Sequence, residues 1–330
     1  MSLKETINYS IWCDFVERDF LENEFKDLIK NKIIHGATSN PAIFEQSITS
    51  SEAYKQQMTM LQANENKKIY EELAITDIKA AADILKPLYD HDANDGFISL
   101  EVDPTLCDDA DLTIQEGIRL HKQIAYNNVM IKVPATTAGY TAMEELTSLG
   151  INVNATLIFS KEQAKQCAKA LNEGILKSGK DTKAVVSIFV SRFDRALDDL
   201  MIHKHLEPAK VGIINATKCY YEIEKIGNKN IRTLFASTGV KGGDLDPSYY
   251  IDNLIFKNSI NTAPLATIKE WIKTGSKVKT EIMPEGECDK YFSKLEKKGI
   301  KIDTISEQLL QEGLSAFKIS FKELLSKVKL

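Results

Sequence analysis

The feature that most limits the possible folds is a regular alternation of short apolar, β-rich runs with longer amphipathic segments. Segments such as 160–176 and 194–225 show the 3.6-residue period of helices. Strands that are buried on both faces and alternate with helices are typical of a parallel sheet. The eight predicted strands span residues 10–14, 33–37, 96–102, 129–133, 153–159, 184–190, 233–236 and 255–262.

Eight such units without a linker-like stretch predict one closed (β/α)₈ barrel that occupies a single domain, 1–330. The main alternative is an open, doubly wound sheet. That fold usually carries a glycine-rich phosphate loop after an early strand, and the sequence has neither G-x-G-x-x-G nor a P-loop. The barrel is therefore the favoured architecture.

The chain ends in a further predicted helix, over about 304–328. Thr304 and Glu307 fit a capping box at its start. An apolar stripe follows at alternating four- and three-residue steps, which predicts packing on the barrel wall. The alternative is that part of this stripe forms a homodimer interface. The stripe comprises Leu310, Leu314, Phe317, Phe321, Leu324 and Val328.

The composition argues against several classes of partner. A net charge of −5 is the opposite of the basic excess that is typical of nucleic-acid binding. No run of about 18 apolar residues could cross a membrane, and the first residues lack the apolar segment of a signal peptide. We therefore expect a cytoplasmic protein with no nucleic-acid or membrane partner.

The cysteines and histidines carry no recognisable ligand pattern. The five cysteines are widely spread and include no Cys-x-x-Cys pair, which is typical of reduced thiols. His203 and His205 form a His-x-His pair, but no third ligand lies at a recognisable spacing. We therefore predict neither a disulfide framework nor a metal site.

Lys132 is an isolated amine in a run, 129–133, that otherwise predicts a fully buried strand. Desolvating an ammonium group is costly, so lysine is seldom fully buried without a partner or a function. Burial of an amine lowers its pKa, and the neutral amine can form a Schiff base with a carbonyl. The alternative is a lysine at a strand end whose ammonium group reaches solvent.

Polar residues occur at the ends of several other predicted strands. In a (β/α)₈ barrel the reactive groups lie on the face where strands end and loops begin. Each residue also has a structural interpretation: Asn40 can cap a helix before Pro41, and Asn154 and Thr156 can be hydrogen-bonded barrel residues. Together they are unusual in a barrel interior. The set comprises Asp14, Asn40, Glu101, Asn154, Thr156 and Ser187.

An amine with two carboxylates is suited to aldol chemistry. A lysine that adds to a ketose carbonyl forms an iminium, which draws electrons from the neighbouring carbon–carbon bond. One carboxylate can remove a hydroxyl proton as this bond breaks, and the other can move the protons of carbinolamine formation and dehydration. Such a reaction requires no metal and no organic cofactor.

Several motifs, in the same order along the chain, resemble those of transaldolases. Segment 36–44, Gly-Ala-Thr-Ser-Asn-Pro-Ala-Ile-Phe, is similar to the first transaldolase signature. Segment 129–139 is similar to the second signature, which contains the Schiff-base lysine. The resemblance covers at least 14–241 and includes three shorter matches, at 98–103, 151–156 and 186–192.

The resemblance implies a barrel of the class I aldolase kind and an activity in the non-oxidative pentose phosphate pathway. The implied reaction transfers a dihydroxyacetone unit from sedoheptulose 7-phosphate to glyceraldehyde 3-phosphate. Its products are erythrose 4-phosphate and fructose 6-phosphate. The expected partners are thus a phosphorylated ketose and a phosphorylated aldose.

The resemblance also implies a role for each matching residue. Lys132 would be the covalent nucleophile, and Asp14 the base that acts on the substrate hydroxyl. Glu101 would be the acid/base, working through a water molecule near Thr156. Asn40, Asn154 and Ser187 would hold the bound three-carbon unit, and Arg192 would bind the phosphate.

The chain departs from the common transaldolase pattern after the seventh predicted strand. Many members have a Ser-x-Arg pair there, whereas Ser237 is followed by Thr238 and Gly239. The Ser-Thr-Gly-x-Lys form resembles a transaldolase subgroup, in which Lys241 would supply the missing charge beside Ser237. Asp103 has no counterpart role, and we interpret it as structural.

Two other functions are compatible with parts of this pattern. A fructose 6-phosphate aldolase that releases free dihydroxyacetone would use nearly the same residues, although the chain is longer than expected for such relatives. A non-catalytic barrel that acts as a binding module would not need the set of Lys132, Glu101 and Asp14. The sequence favours transaldolase activity.

Overall fold

A computed structural model describes residues 2–241 and 245–329, and its parallel strands form one closed barrel. Each strand pairs with the next, and the eighth pairs with the first. The predicted fold class is confirmed. The strands are β1 Ser10–Cys13, β2 Gly36–Ala37, β3 Phe97–Glu101, β4 Val129–Pro134, β5 Val153–Ile158, β6 Ala184–Phe189, β7 Ile231–Ala236 and β8 Ser259–Ala263.

The helices surround the barrel and bury one face each. Helix α9, for example, buries Ala164, Cys167, Leu171 and Ile175 at three- and four-residue steps. The helices are α1 Leu3–Ile7, α2 Arg18–Glu22, α3 Glu24–Lys30, α4 Pro41–Ser50, α5 Lys55–Leu61, α6 Asn66–His91, α7 Ala110–Ile124, α8 Thr137–Ser148, α9 Lys161–Ser178, α10 Ser191–His203, α11 Val211–Glu224, α12 Tyr249–Asp252, α13 Leu265–Thr274, α14 Glu285–Lys297 and α15 Ile302–Lys327.

Three predicted boundaries differ from the structure. The run 33–37 contributes only two residues to β2, the run 255–262 forms β8 only from Ser259 onward, and the segment 194–225 is two helices, α10 and α11. The break between these helices contains His205 and Ala209, whose positive φ angles of 55° and 57° cannot continue a helix. Periodicity alone did not reveal this break, because the apolar spacing continues on both sides.

The C-terminal helix is confirmed, but the predicted capping box is wrong. Helix α15 begins at Ile302, and no side chain of its N-cap residue, Lys301, makes a capping hydrogen bond. Thr304 therefore lies inside the helix. The start is held instead by apolar contacts of Ile300 and Ile305 with a buried cluster, which outweigh a local cap.

The apolar stripe of α15 packs mainly over the barrel mouth and against α4. Leu314, Phe317, Phe321 and Leu324 are buried, as the prediction of packing on the barrel requires. Within the described ranges, no helix is both long and apolar enough to cross a membrane.

A buried ionic cluster closes the opposite, N-terminal end of the barrel. Nη1 of Arg232 on β7 lies 3.2 Å from Asp95 Oδ1, and Nη2 donates to the carbonyl oxygens of Asn8 and Ser259. Asp95 also accepts from Ser10 Oγ at 2.9 Å. Because these contacts join β7, β8, β1 and the segment before β3, the cluster ties the two halves of the barrel together.

Breaking this cluster should destabilise the barrel. In an Arg232→Met variant the buried Asp95 carboxylate keeps Lys4 but loses Arg232, and the carbonyl oxygens of Asn8 and Ser259 lose a donor. Together these losses should lower the free energy of unfolding by about 3–5 kcal/mol. Urea denaturation measures the loss. The matched control is Lys86→Met, which breaks the exposed Lys86–Asp90 pair on α6 and should cost at most about 0.5 kcal/mol. Equal losses of free energy of unfolding in the two variants would contradict the stabilising role of the Arg232 cluster.

Candidate active site

Lys132 lies inside the barrel on β4 and is only 5% exposed. Its Nζ donates to the carbonyl oxygen of Ser39 at 3.0 Å and lies 3.3 Å from Glu101 Oε2. The strand register explains this contact, because Glu101 on β3 is the direct neighbour of Lys132. The interpretation of Lys132 as a buried amine is confirmed, and the alternative of a solvent-reaching lysine is wrong.

Glu101 is a buried acid with an unusual pKa. Burial raises the pKa of its carboxyl to about 7, although the nearby ammonium group of Lys132 opposes the shift. Neither carboxylate oxygen accepts a well-formed hydrogen bond from the part of the chain that the structure describes. The contact with Lys132 is thus a close ion pair with poor hydrogen-bond geometry, and Glu101 can hold or release a proton near neutral pH.

Asp14 follows β1 and faces the same end of the barrel. Its Oδ1 accepts a hydrogen bond from Thr38 Oγ1 at 2.6 Å, and that hydroxyl also contacts Thr262 Oγ1 at 2.7 Å. Burial raises the pKa of Asp14, while Lys132 and the Thr38 hydroxyl lower it. The hydrogen bond fixes the position of one carboxylate oxygen and leaves the other free to accept a proton.

A chain of polar side chains crosses the barrel from β3 to β6. Asn154 on β5 donates through Nδ2 to Ser99 Oγ at 3.0 Å and accepts from Ser187 Oγ at 2.6 Å. These hydrogen bonds hold the amide of Asn154 in one orientation. Asn40 caps α4 by accepting from the Ile43 amide at 3.1 Å, so its structural interpretation is confirmed. The same side chain also lines the cavity described below.

Thr156 lies at an irregular end of β5. The β5–β6 register shifts between Ala155 and Ile158, and Leu157 adopts a left-handed backbone conformation with φ 59°. The Thr156 hydroxyl is fully buried, and no described residue hydrogen-bonds to it. Bulges and positive φ angles at non-glycine residues often occur beside functional groups. Thr156 is therefore available to bind a small polar molecule.

One cavity of about 210 Å³ at the C-terminal end of the barrel collects all the predicted site residues except Glu101. Glu101 does not line this cavity, although it lies 3.3 Å from the Nζ atom of Lys132, which does. The cavity, which we call the substrate cavity, is lined by the predicted residues Asp14, Asn40, Lys132, Asn154, Thr156, Ser187, Arg192, Ser237 and Lys241.

The basic residues gather at one end of the substrate cavity, where α10 begins. The amides of Ser191 and Phe193 in the first turn of this 13-residue helix donate to the carbonyl oxygens of Ser237 and Val190, so it is the Arg192 amide and the positive end of the helix dipole that favour an anion. Arg192 lies in that turn. Ser237 has a positive φ of 53°, and its Oγ lies 3.1 Å from Ser191 Oγ. Lys241 is exposed at the rim.

Sequence reasoning missed several residues of the site. Arg195 lines the same cavity one helical turn after Arg192, a spacing that could have revealed it. Ser39 and Ser99 provide contacts to Lys132 and Asn154, but serines in buried strands carry no distinctive signal. Phe317 belongs to the predicted stripe of α15, and its ring centroid lies 5.7 Å from Lys132 Nζ.

A larger cavity, of about 510 Å³, lies between α9, α11, α14 and the start of α15. It is far from the Lys132–Glu101 pair, and its three lysines are balanced by three acidic residues. The smaller cavity is the better candidate because the reactive groups converge there. In the described part of the chain, His, Cys, Asp and Glu residues form no group of three or more that could hold a metal ion.

Comparison with known proteins agrees with this geometry. Residues 11–328 match the family model described as Transaldolase/Fructose-6-phosphate aldolase. A transaldolase of Helicobacter pylori (strain Shi470) is 47% identical over 318 residues, covering 96% of this chain and 98% of the relative. The chain belongs to the transaldolase/fructose-6-phosphate aldolase family.

A second relative extends this finding to another genus. A transaldolase of Campylobacter jejuni subsp. jejuni serotype O:23/36 (strain 81-176) is 46% identical over 332 residues, covering 96% of this chain and 98% of the relative. The similarity therefore extends across the whole barrel and most of α15. The resemblance that the sequence motifs indicated is confirmed at the level of the family.

The raised pKa of Glu101 predicts a characteristic pH dependence of stability. The folded carboxyl, with a pKa of about 7, binds a proton more tightly than an unperturbed one at 4.5, so the folded state loses stability as the pH rises between these values. Relative to wild type, Glu101→Gln should gain free energy of unfolding over this range, by up to about 3 kcal/mol. Urea titrations at several pH values measure this gain, and a pH-independent difference would contradict it.

Proposed function

We propose that the protein is a transaldolase, a transferase that moves a dihydroxyacetone unit from sedoheptulose 7-phosphate to glyceraldehyde 3-phosphate. The observation that carries the proposal is the buried Lys132–Glu101 pair beside a cavity with a basic far end. The names and the 46–47% identity of the two relatives support the same reaction. The activity belongs to the non-oxidative pentose phosphate pathway.

The first chemical step is formation of an imine at Lys132. The proton of the ammonium group moves to Glu101, and the neutral amine attacks the ketose carbonyl carbon to give a carbinolamine. Glu101 returns a proton to the departing oxygen, the carbon–oxygen bond breaks, and water leaves while the nitrogen lone pair forms the iminium. In hydrolysis the Glu101 carboxylate takes the proton from the attacking water, which we place near the free hydroxyl of Thr156.

The second step breaks the carbon–carbon bond. Asp14 removes the proton of the substrate hydroxyl, the new carbonyl of the aldose forms, and the bonding electrons move towards the iminium. Thr38 keeps Asp14 in place by its 2.6 Å hydrogen bond. Asn154, Ser187 and Asn40 hold the hydroxyl groups of the remaining three-carbon unit until the acceptor aldose reverses the step.

The basic end of the substrate cavity binds the phosphate group. Arg192 and the N-terminal end of α10 provide charge, with Ser237 as a neutral donor. Lys241 takes the place of the arginine that many family members have near Gly239. Arg195 adds a third cation on the same side, which offsets the overall negative charge of the chain for an anionic substrate.

The second candidate, an aldolase that releases free dihydroxyacetone, is included in the matched family. The two activities differ in whether fructose 6-phosphate is consumed without an acceptor aldose. A coupled assay with and without erythrose 4-phosphate separates them, and a transaldolase should need the acceptor. A cytoplasmic location and a homodimer remain predictions from the sequence.

Reduction of the imine tests the assignment of Lys132 and Asp14. With fructose 6-phosphate and borohydride, the wild-type peptide containing Lys132 should gain a three-carbon adduct, visible by mass spectrometry. Asp14→Asn should instead trap the uncleaved six-carbon phosphate, because imine formation does not require the base. Lys132→Arg should show no adduct while remaining folded, and an adduct on another lysine would refute the mechanism.

Substitution of the cations tests the phosphate site. A charge-assisted hydrogen bond contributes about 1.5–3 kcal/mol, so Arg192→Gln or Lys241→Gln should raise KM for fructose 6-phosphate roughly ten- to a hundredfold. Activity on unphosphorylated fructose should change little. Lys204→Gln, just beyond α10 and outside the cavity, is the matched control. An unchanged KM for Lys241→Gln would mean that Lys241 does not replace the missing arginine.

A further inference from the structure

Glu101 lines a second, smaller cavity, which is separate from the substrate cavity. We call it the back cavity, and it lies between β3 and the helices α6, α7 and α15. Its volume is about 10 Å³, which is close to the lower limit for one water molecule. The side chains that matter for its chemistry are Lys67, Tyr70, Glu101, Asp103, Glu116 and Phe321.

The Glu101 carboxylate needs a partner in the back cavity. The residue is 6% exposed, and neither oxygen accepts a well-formed hydrogen bond from a described residue. Oε2 faces Lys132, so Oε1 is the oxygen that a molecule in the back cavity can reach without disturbing the ion pair. A buried carboxyl oxygen without a donor is costly, whereas a bound water satisfies it.

Tyr70 supplies a second polar group to the back cavity. Its ring is packed edge-on against Phe44 and Phe321, with centroid distances of 5.9 and 5.5 Å, which fixes its position. No hydrogen bond joins its hydroxyl to any residue in the described ranges. Tyr70 and Glu101 border the same cavity of about 10 Å³, and the negative charge of Glu101 adds to the effect of burial in raising the Tyr70 pKa.

An ion cluster lies between the back cavity and solvent. Lys67 on α6 pairs with Asp103 at 2.8 Å and with Glu116 at 3.2 Å, and its side chain is about a third exposed. Asp103 also accepts from the amide and hydroxyl of Thr105. These contacts agree with the structural interpretation of Asp103, and they give water a polar path between the cavity and the surface.

We propose that the back cavity binds one water molecule between Glu101 and Tyr70, and that Tyr70 positions Glu101 through this water during imine formation and hydrolysis. The proposal rests on the proposed function, because it gives Tyr70 a part in the proton transfers assigned to Glu101. The water keeps the carboxyl oriented while its other oxygen exchanges a proton with Lys132 or with the carbinolamine oxygen. Tyr70 is therefore a positioning residue.

The groups around Glu101 set its pKa, so the pH dependence of imine formation can test the role of Tyr70. Removing a hydrogen-bond donor from a carboxylate raises the pKa of that group. The charged and titratable groups that face it come from β4, the end of β1, α6, α7 and its own loop: Lys132, Asp14, Lys67, Tyr70, Glu71, Glu116 and Asp103. Tyr70→Phe leaves all of these in place except the hydroxyl itself, so a shift in the pH profile reports on that hydroxyl.

The experiment measures, as a function of pH, the rate at which borohydride traps the imine that Lys132 forms with fructose 6-phosphate. Tyr70→Phe should slow imine formation roughly three- to tenfold, since a neutral hydrogen bond is lost, and should shift the midpoint of the Glu101-dependent limb to higher pH. Ala74→Val, which fills the back cavity from α6, should act in the same direction. The control is Tyr89→Phe, near the other end of α6 and outside both cavities.

Two results would overturn the proposal. One is an unchanged trapping rate and pH midpoint in Tyr70→Phe and Ala74→Val. The other is a high-resolution crystal structure of the whole chain in which no water lies within hydrogen-bond distance of Glu101 in the back cavity. Failure of the wild-type chain to trap any adduct at Lys132 would instead count against the proposed function, so the two failures are distinguishable.

Discussion

The proton shared by Lys132 and Glu101 is the constraint on which the site depends. The two groups lie 3.3 Å apart inside the barrel, where an ion pair loses much of its hydration. The ion pair and the neutral pair of amine and carboxylic acid contain the same number of protons, so one converts into the other without solvent. Because burial raises the Glu101 pKa to about 7, the neutral form costs less free energy than it would with an unperturbed carboxyl. The neutral form contains both the nucleophile and the acid that imine formation requires.

Buried carboxylates at the two ends of the barrel have pKa values that are shifted in opposite directions. At the N-terminal end, Asp95 accepts hydrogen bonds from several donors around Arg232, and its pKa is lowered despite burial. At the C-terminal end, Glu101 has no well-formed hydrogen bond from a described residue, and its pKa is raised. The positive charges of Arg232 and Lys4 hold the Asp95 pKa below its ordinary value, whereas the single ion pair with Lys132 does not offset the burial of Glu101, which can therefore titrate. The environment of Asp95 stabilises the fold, and the environment of Glu101 allows proton transfer.

Much of the fold and of the site was predictable because barrel strands must be apolar, so that Lys132, Asn154 and Asp14 stand out where they interrupt or end such runs. Arg195 was missed because arginines on helix surfaces are common, although its spacing of one helical turn from Arg192 offered a signal. The sequence could not show that Glu101 lines a cavity separate from the substrate cavity, since that depends on how α6 and α15 pack against β3. The predicted start of α15 was wrong because the apolar contacts of Ile300 and Ile305, a tertiary effect, outweighed a local capping pattern.

Helix α15 contacts the reactive end, the phosphate end and the back cavity of the site. Phe317 covers Lys132, Phe321 borders the back cavity, and Gly313 packs against Arg192. A Cβ atom at position 313 would lie 2.9 Å from the Leu157 side chain and 3.2 Å from Arg192 Nη1, so a larger residue there would displace these side chains. The spacing between the amine and the phosphate site is therefore fixed by one rigid element as well as by the strands. Because the aromatic face of that element also excludes water from Lys132 and Glu101, the docking of α15 contributes to the burial that raises the Glu101 pKa.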